Sequence, residues 1–248
     1  MTKTLLITGA SRGIGSATAV LAASQGWQVA VNYATNSLAA DAVVRQIRAS
    51  GGMAMTVQAD VSDEAQILRM FETVEAKFGR LHGLVSNAGV VDFAQRVDEM
   101  SVARLERMWR TNITSSFVCA REAVRRMSTK YGGEGGVLVN VSSVAARIGS
   151  PSQYVDYAAS KAAIDTFTLG LAKEVAAEGI RVNAVRPGII ETDIHASGGD
   201  PDRAARMAAS LPMLRAGSAE EVAQAICWLL SNAASYTTGT LLDVAGGR

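Results

Sequence analysis

Short runs of β-branched and aliphatic residues recur at 4–8, 28–33, 54–58, 83–86, 137–141, 181–185 and 241–244. Each is bounded by glycine or polar residues and is too short for a helix, which predicts seven strands. Between them the apolar positions follow a helical period. Ile67, Met70, Phe71, Val74 and Phe78 lie 3, 4, 7 and 11 residues from the first, and Ile164, Phe167, Leu171 and Val175 are spaced 3, 7 and 11. Both patterns predict amphipathic helices with one buried face. Strands alternating with helices imply right-handed βαβ crossovers and an α/β fold, a doubly wound seven-stranded parallel sheet with helices on both faces. No linker, repeat or low-complexity tract interrupts this alternation, so 1–248 reads as a single domain. Gly132, Gly133, Gly135 and Gly136 read as a tight loop before the fifth strand.

Composition narrows the picture. Hydrophobic residues make up 48% and aromatics only 5%, so the apolar mass is mainly aliphatic, as a parallel sheet covered on both faces requires. A formal net charge of +1 argues against a nucleic-acid partner or an anionic membrane surface. No apolar stretch is long enough to span a bilayer, and the first residues read as a strand rather than a signal peptide. Cys119 and Cys227 show no metal or redox spacing and read as buried reduced thiols. His82 and His195 cannot make a zinc site alone, so no metal is expected. A reducing cytoplasm is the expected location.

Chemistry enters at the first strand end. Thr8-Gly9-Ala10-Ser11-Arg12-Gly13-Ile14-Gly15 follows a strand and opens a helix. Glycines allow close backbone approach to a pyrophosphate, and a helix N-terminus offers free N–H groups and a positive dipole end. In this position the loop predicts a dinucleotide-binding Rossmann fold, against the alternative of a tight turn with no ligand. Gly9, Ser11, Arg12, Gly13, Ile14 and Gly15 are its candidate contacts. The second strand ends Asn32-Tyr33-Ala34-Thr35-Asn36-Ser37, without the carboxylate that selects NAD by accepting hydrogen bonds from the ribose. Asn32, Tyr33 and Thr35 are candidate adenosine-side residues. Arg12 could meet a 2′-phosphate, or be a solvated loop cation, and NADP(H) is expected over NAD(H). Asp60-Val61 ends the third strand. Asp60 could accept the adenine amino group, or Asp60 or Ser62 could cap the following helix.

Tyr157-Ala158-Ala159-Ser160-Lys161 places a phenol and an ammonium at i and i+4, on one helix face. A nearby cation favours phenolate, so the expected result is a tyrosine of lowered pKa suited to general acid/base work on a carbonyl or alcohol oxygen. Ser142 and Ser143 follow the fifth strand, where a serine could hold the substrate oxygen or simply end the strand. Asn87-Ala88-Gly89 ends the fourth. All these motifs fall on the carboxyl edge of the sheet, where open α/β folds bind ligands.

In this order, the loop Gly9 to Gly15, Asn87-Ala88-Gly89, Asn112, the serine strand end, Tyr157-x-x-x-Lys161 and Arg186-Pro187-Gly188 resemble the short-chain dehydrogenase/reductase family over essentially the whole chain. The resemblance is nearest to its 3-oxoacyl-carrier-protein reductase and glucose-dehydrogenase-like branches. It implies a carbonyl/alcohol oxidoreductase with a small-molecule substrate. Tyr157 would be the acid/base and Lys161 would lower its pKa and hold the nicotinamide ribose. Ser143 would hold the substrate oxygen, and Asn112 would interrupt a helix and position a water in a proton relay. Asn87, Ala88 and Gly89 would support the adenosine side, and Pro187, Gly188, Ile190 and Thr192 would border the nicotinamide. Ser143 stands fourteen residues before Tyr157, one more than the family's usual spacing, which implies an extra residue between them. Tyr154 has no lysine four positions on and is expected to line the substrate side.

The resemblance also implies a substrate lid over about 191–215, with a short helix near 202–210 and His195 as its one titratable histidine. A homotetramer through helices near 101–130 and 155–178 is implied as well. Arg121, Arg125, Arg126 and Lys130 form a basic helix end that could receive an acidic carrier protein or be ordinary C-terminal helix cations. The competing function is a non-catalytic dinucleotide-binding regulator on the same fold.

Overall fold

The structure, a computed structural model, describes residues 2–248 without the side chain of His195, so the expectation for that histidine lies outside the described residues. Seven strands form one parallel sheet in the order β3-β2-β1-β4-β5-β6-β7. They are β1 (Thr4–Ile7), β2 (Gln28–Tyr33), β3 (Met53–Gln58), β4 (Gly83–Ser86), β5 (Gly136–Val141), β6 (Ile180–Pro187) and β7 (Leu241–Val244). All seven predicted strands are present. β6 runs past the predicted 181–185 because its register with β7 continues through Pro187↔Val244.

The strand period of two sends alternate residues to opposite cores. Leu5 and Ile7, Val29 and Val31, and Val137, Val139 and Val141 face one layer. Leu6, Ala30, Leu84 and Leu138 face the other. The first layer is covered by α1 (Gly13–Ser24), α2 (Ser37–Ala49) and, at the chain's end, a helix over Ala219–Leu230. The second is covered by α3 (Glu64–Phe78), α5 (Ser115–Met127) and α7 (Val155–Val175). Ile67, Met70, Phe71 and Val74 are buried as their spacing predicts, and Phe78 packs at the margin. Ile164 and Val175 are buried, while Phe167 and Leu171 are half-buried.

Helix α4 (Val102–Trp109) runs into α5 through a wide π turn at Arg110–Thr114, which contains Asn112. Short helices α6 (Ala145–Ile148), α8 (Ile194–Ser197) and α9 (Arg203–Ala208) line the carboxyl edge of the sheet, and the Ala219–Leu230 helix is α10. The glycine loop before β5 is tight, as expected. A Cβ on Gly133 would come within 2.2 Å of the Met127 carbonyl oxygen. Among the described residues, no helix is long and apolar enough to cross a membrane.

Two expectations are corrected here. Asp63 caps α3, accepting from the Gln66 N–H at 3.3 Å. Asp60 instead accepts from the Ser62 N–H at 2.9 Å, so neither Asp60 nor Ser62 is the cap. The turn after β3 runs on through Ser62, held by Asp60, before helical geometry begins. The basic end of α5 is not an open receptor. Arg121 pairs with Glu64 and Glu122, Arg125 with Glu122, and Arg126 with Glu75 and Glu122. His82 is a strand-entry residue, its Nδ1 accepting from the Thr4 N–H at 3.0 Å.

Candidate active site

Strand order reverses direction between β1 and β4, and the loops after these strands part there to open a crevice. The glycine loop leaves β1 into it. The Gly9 N–H donates to Asn32 Oδ1 at 3.0 Å, and Asn87 Nδ2 donates to the Thr8 and Gly9 carbonyls at 2.9 Å each. Thr8 Oγ1 accepts from the N–H groups of Asn87 and Ala88. The loop is thus tied to both neighbouring strand ends. Gly15 serves packing, since a Cβ there would meet Asn87 Nδ2 and the Gly9 carbonyl at 2.6 Å. Arg12 is the N-cap of α1 but makes no side-chain cap, so the first-turn N–H groups keep no intrahelical partner.

A groove of about 870 Å³ runs along this edge. Gly9, Ser11, Arg12, Gly13, Ile14, Asn32, Tyr33, Thr35, Asp60, Val61, Asn87, Ala88, Gly89 and Thr192 line it. Its open helix N-terminus and backbone-accessible glycines fit a dinucleotide pyrophosphate. Asn32 contributes little to a ligand directly, because Nδ2 is held by the Val57 and Ala59 carbonyls.

The groove joins a smaller cleft of about 160 Å³, lined by Ile14, Asn87, Gly89, Ser143, Tyr157, Lys161, Pro187, Gly188, Ile190 and Thr192. Gly15 and Asn112 line neither space. The two adjacent serines divide their work. Ser142 Oγ donates to the Lys161 carbonyl at 3.1 Å, tying α7 to β5. Ser143 Oγ accepts from the Ala145 N–H at 3.1 Å and lines the cleft with Tyr157, so of the two serines, both of which line it, Ser143 keeps its hydroxyl proton for a ligand. Between Ser143 and Tyr157, α6 ends and Ser150 and Ser152 take φ of 44° and 58°.

Lys161 stands behind Tyr157, its Nζ 5.6 Å from the ring centroid and 2.8 Å from the Val141 carbonyl oxygen. Burial pushes its ammonium down to about 8, with Asp165 pulling back. Burial also pushes the Tyr157 phenol up, and the Ser143 hydrogen bond only partly offsets it. This corrects the expected lowering. The ammonium is aimed at a carbonyl rather than at the phenol oxygen, so desolvation decides the direction.

Asn112 sits behind the cleft. Oδ1 accepts from the Val90 N–H at 2.8 Å, and Nδ2 donates to the Val90 carbonyl and to Ser160 Oγ. The π turn swings this side chain between the loop after β4 and α7, where it braces both. Gly89 lies beside Asn112 and Lys161: a Cβ there would sit in ordinary contact, 3.4 Å from Lys161 Nζ and 3.5 Å from Asn112 Oδ1. Tyr154 lines the cleft, as expected.

Several contributors were not foreseen. Arg104 and Asp156 form a buried ion pair at 2.7 Å beside Tyr157. Arg186 Nη2 contacts Asp165 at 2.8 Å, one turn beyond Lys161. Arg203 and Arg248 line the cleft. The Asp165 spacing from Lys161 was a usable local signal. The arginines are distant in sequence and gave none.

Comparison with known proteins agrees with this geometry. The family model described as Enoyl-(Acyl carrier protein) reductase matches residues 9–248. An uncharacterized oxidoreductase, YgfF, of Escherichia coli (strain K12) is 56% identical over 243 residues, covering 98% of each chain. A 3-oxoacyl-[acyl-carrier-protein] reductase of Synechocystis is 40% identical, covering 98% of this chain and 95% of the relative. Among solved structures, a short-chain type dehydrogenase/reductase from Mycobacterium marinum superposes with a TM-score of 0.92 at 35% identity, covering 99% of this chain and 94% of the other. An acetoin dehydrogenase from Salmonella typhimurium gives 0.88 at 31%, covering 100% and 97%. The chain belongs to the short-chain dehydrogenase/reductase family and is an oxidoreductase of that family.

Proposed function

We propose that this enzyme interconverts a carbonyl and an alcohol with NADP(H), Tyr157 giving the proton in reduction and taking it in oxidation. The observation that carries the reading is that Ser143, Tyr157 and Lys161 line one cleft, with the Lys161 ammonium buried 5.6 Å from the Tyr157 ring centroid. Two hydroxyls facing each other can both donate to one substrate oxygen. The raised phenol is neutral at pH 7 and so is ready to donate. The nicotinamide, when bound, supplies the hydride, and the protein supplies orientation and proton control. Lys161 would hold the nicotinamide ribose, its ammonium steadied by the Val141 carbonyl and its backbone by Ser142. Residues 1–248 act as one catalytic domain, with 191–215 as a lid over the cleft.

Preference for NADP(H) rests on the end of β2, which presents no carboxylate to the groove, and on Arg12. Arg12 lines the groove, is exposed, and makes no ion pair among the described residues. The expected effect of Arg12→Ala is a roughly tenfold rise in KM for NADPH, about 1.5 kcal/mol for one charge-assisted hydrogen bond. KM for NADH should hardly move. Equal losses with both cofactors would show that Arg12 does not read the phosphate.

The value for Lys161 sets a pH dependence. Below pH of about 8 its ammonium is charged and can donate to a ribose hydroxyl, and above it that charge is lost. kcat/KM for NADPH should therefore fall as pH rises through about 8. A flat profile from pH 7 to 9.5 would remove Lys161 from cofactor binding.

A ketone-reducing role is favoured by relatives named 3-oxoacyl-[acyl-carrier-protein] reductase. The test is NADPH oxidation, with NADH in parallel, against acetoacetyl thioesters, aldehydes and diketones, plus the reverse reaction with sugars. Turnover only with sugars would favour the glucose-type dehydrogenase. Tight cofactor binding with no turnover on the whole panel would favour the regulator. Exposed Trp109, Phe117 and Leu169 on α4, α5 and α7 support a homotetramer through these helices. Two free, buried cysteines suit a reducing cytoplasm.

A further inference from the structure

Most surface arginines here are matched with a carboxylate. Arg147 and Arg186 share Asp243, Arg206 holds Asp200, and Arg215 holds Glu221. Among the arginines without such a partner, two line the substrate cleft. Neither Arg203 nor Arg248 makes an ion pair among the described residues, and no Asp or Glu lines the cleft. Both are half-buried. They line the same cleft, and burial first, and then the charge of Arg203, push the Arg248 guanidinium below its ordinary value.

Two like charges brought together away from water cost free energy unless an anion joins them. Arg203 is not loose in this position. Its Nη2 donates to Gln153 Oε1 at 2.8 Å, and its guanidinium lies 5.3 Å from the Tyr154 ring centroid. Gln153 and Tyr154 end the stretch in which Ser150 and Ser152 take left-handed backbone conformations without being glycine. Such strain persists where the surrounding structure fixes it and gathers at ligand sites. A guanidinium fork, held from two sides at a cleft lined by no Asp or Glu side chain, matches the planar geometry of a carboxylate or phosphate.

We propose that Arg203 and Arg248 form a subsite for an anionic group of the substrate, so that the natural substrate is a small oxo acid or oxo phosphate, or its hydroxy counterpart. The inference rests on the carbonyl/alcohol reading above. The carbonyl oxygen sits at Ser143 and Tyr157, and the anion sits at the two guanidiniums. Both ends line one cleft of about 160 Å³, so the proposal places the anion and the carbonyl on one small molecule.

The test uses the full chain with NADPH and four ketones: acetoacetate, hydroxyacetone phosphate, methyl acetoacetate and 2,3-butanedione. The expected result is that kcat/KM for one of the two anions exceeds that for methyl acetoacetate at least tenfold. Which anion wins identifies carboxylate or phosphate. The double substitution Arg203→Gln/Arg248→Gln should collapse that ratio at least tenfold, chiefly through KM, and Arg203→Lys should restore part of it. Arg96→Gln, at an exposed arginine outside the cleft, should leave the ratio unchanged. NADPH binding, followed by its fluorescence, checks that each variant is folded. If the neutral ketones turn over and neither anion is preferred, the subsite is overturned and the carbonyl reading stands. If no ketone turns over while NADPH binds, the carbonyl reading fails and the subsite falls with it.

Discussion

Replacing Tyr157 by Phe is expected to lower kcat by roughly 10²–10⁴-fold, about 3–5 kcal/mol of barrier, the range for losing a positioned general acid. NADPH binding should survive. The ring stays in place, and the loops that line the cofactor groove are tied to the strand ends through Asn32, Asn87 and Thr8, not through the phenol oxygen. The cause of the loss is specific. With the phenol pushed up by burial, Tyr157 carries its proton through neutrality and can release it only to an oxygen gaining negative charge. Ser143 can still donate a hydrogen bond to that oxygen, but an aliphatic hydroxyl is a far weaker acid than a phenol and does not replace the lost proton donor. Single-turnover oxidation of bound NADPH by the best ketone of the panel is the measurement. A variant within tenfold of the parent would remove Tyr157 as the proton donor and sink the mechanism.

The layers of this fold were readable because periodicity reports burial directly. Seven apolar runs became seven strands, and the stripe Ile67, Met70, Phe71 and Val74 became the buried face of α3. The motifs were readable because each is local: a glycine turn, a strand-end serine, a tyrosine one turn before a lysine. Their convergence followed from topology alone, since parallel strands put their carboxyl ends on one edge. What escaped was of two kinds. Sign depended on packing, as with Tyr157, where the proximity of Lys161 in sequence suggested a lowered phenol and desolvation decides otherwise. Pairing depended on distance in sequence, as with Arg104 and Asp156, 52 residues apart, or Arg203 and Arg248 in one cleft. The helix cap was likewise missed: Asp60 and Ser62 both read as candidates, while Asp63, one residue further on, holds the helix start.

The Arg104–Asp156 pair carries the second large effect, and it acts on stability and catalysis together. Asp156 is fully shielded from solvent and Arg104 is 7% exposed at the side chain. Arg104 Nε and Nη2 donate to the two Asp156 oxygens at 2.7 and 3.3 Å, and Nη1 donates to the Phe93 carbonyl and Gln95 Oε1. The Asp156 carboxylate also accepts from the Tyr157 N–H at 2.9 Å. One ion pair therefore joins the loop after β4, helix α4 and the first turn of α7. Asp156→Ala leaves a buried guanidinium without its anion, and the expected cost is about 3–5 kcal/mol. For a chain of 248 residues that is a fall in Tm of roughly 6–20 °C. Removing both charges should be much less harmful. Arg104→Met with Asp156→Leu replaces the pair with apolar groups of similar volume, and such replacements are often neutral. Stability and activity then separate. The double variant is expected to regain most of the lost Tm but not the lost kcat, because no carboxylate remains to hold the Tyr157 backbone. If the double variant melts as low as Asp156→Ala, packing around the pair, and not the unpaired charge, sets the cost. If it regains full activity as well, the ion pair supports the fold but does not position Tyr157.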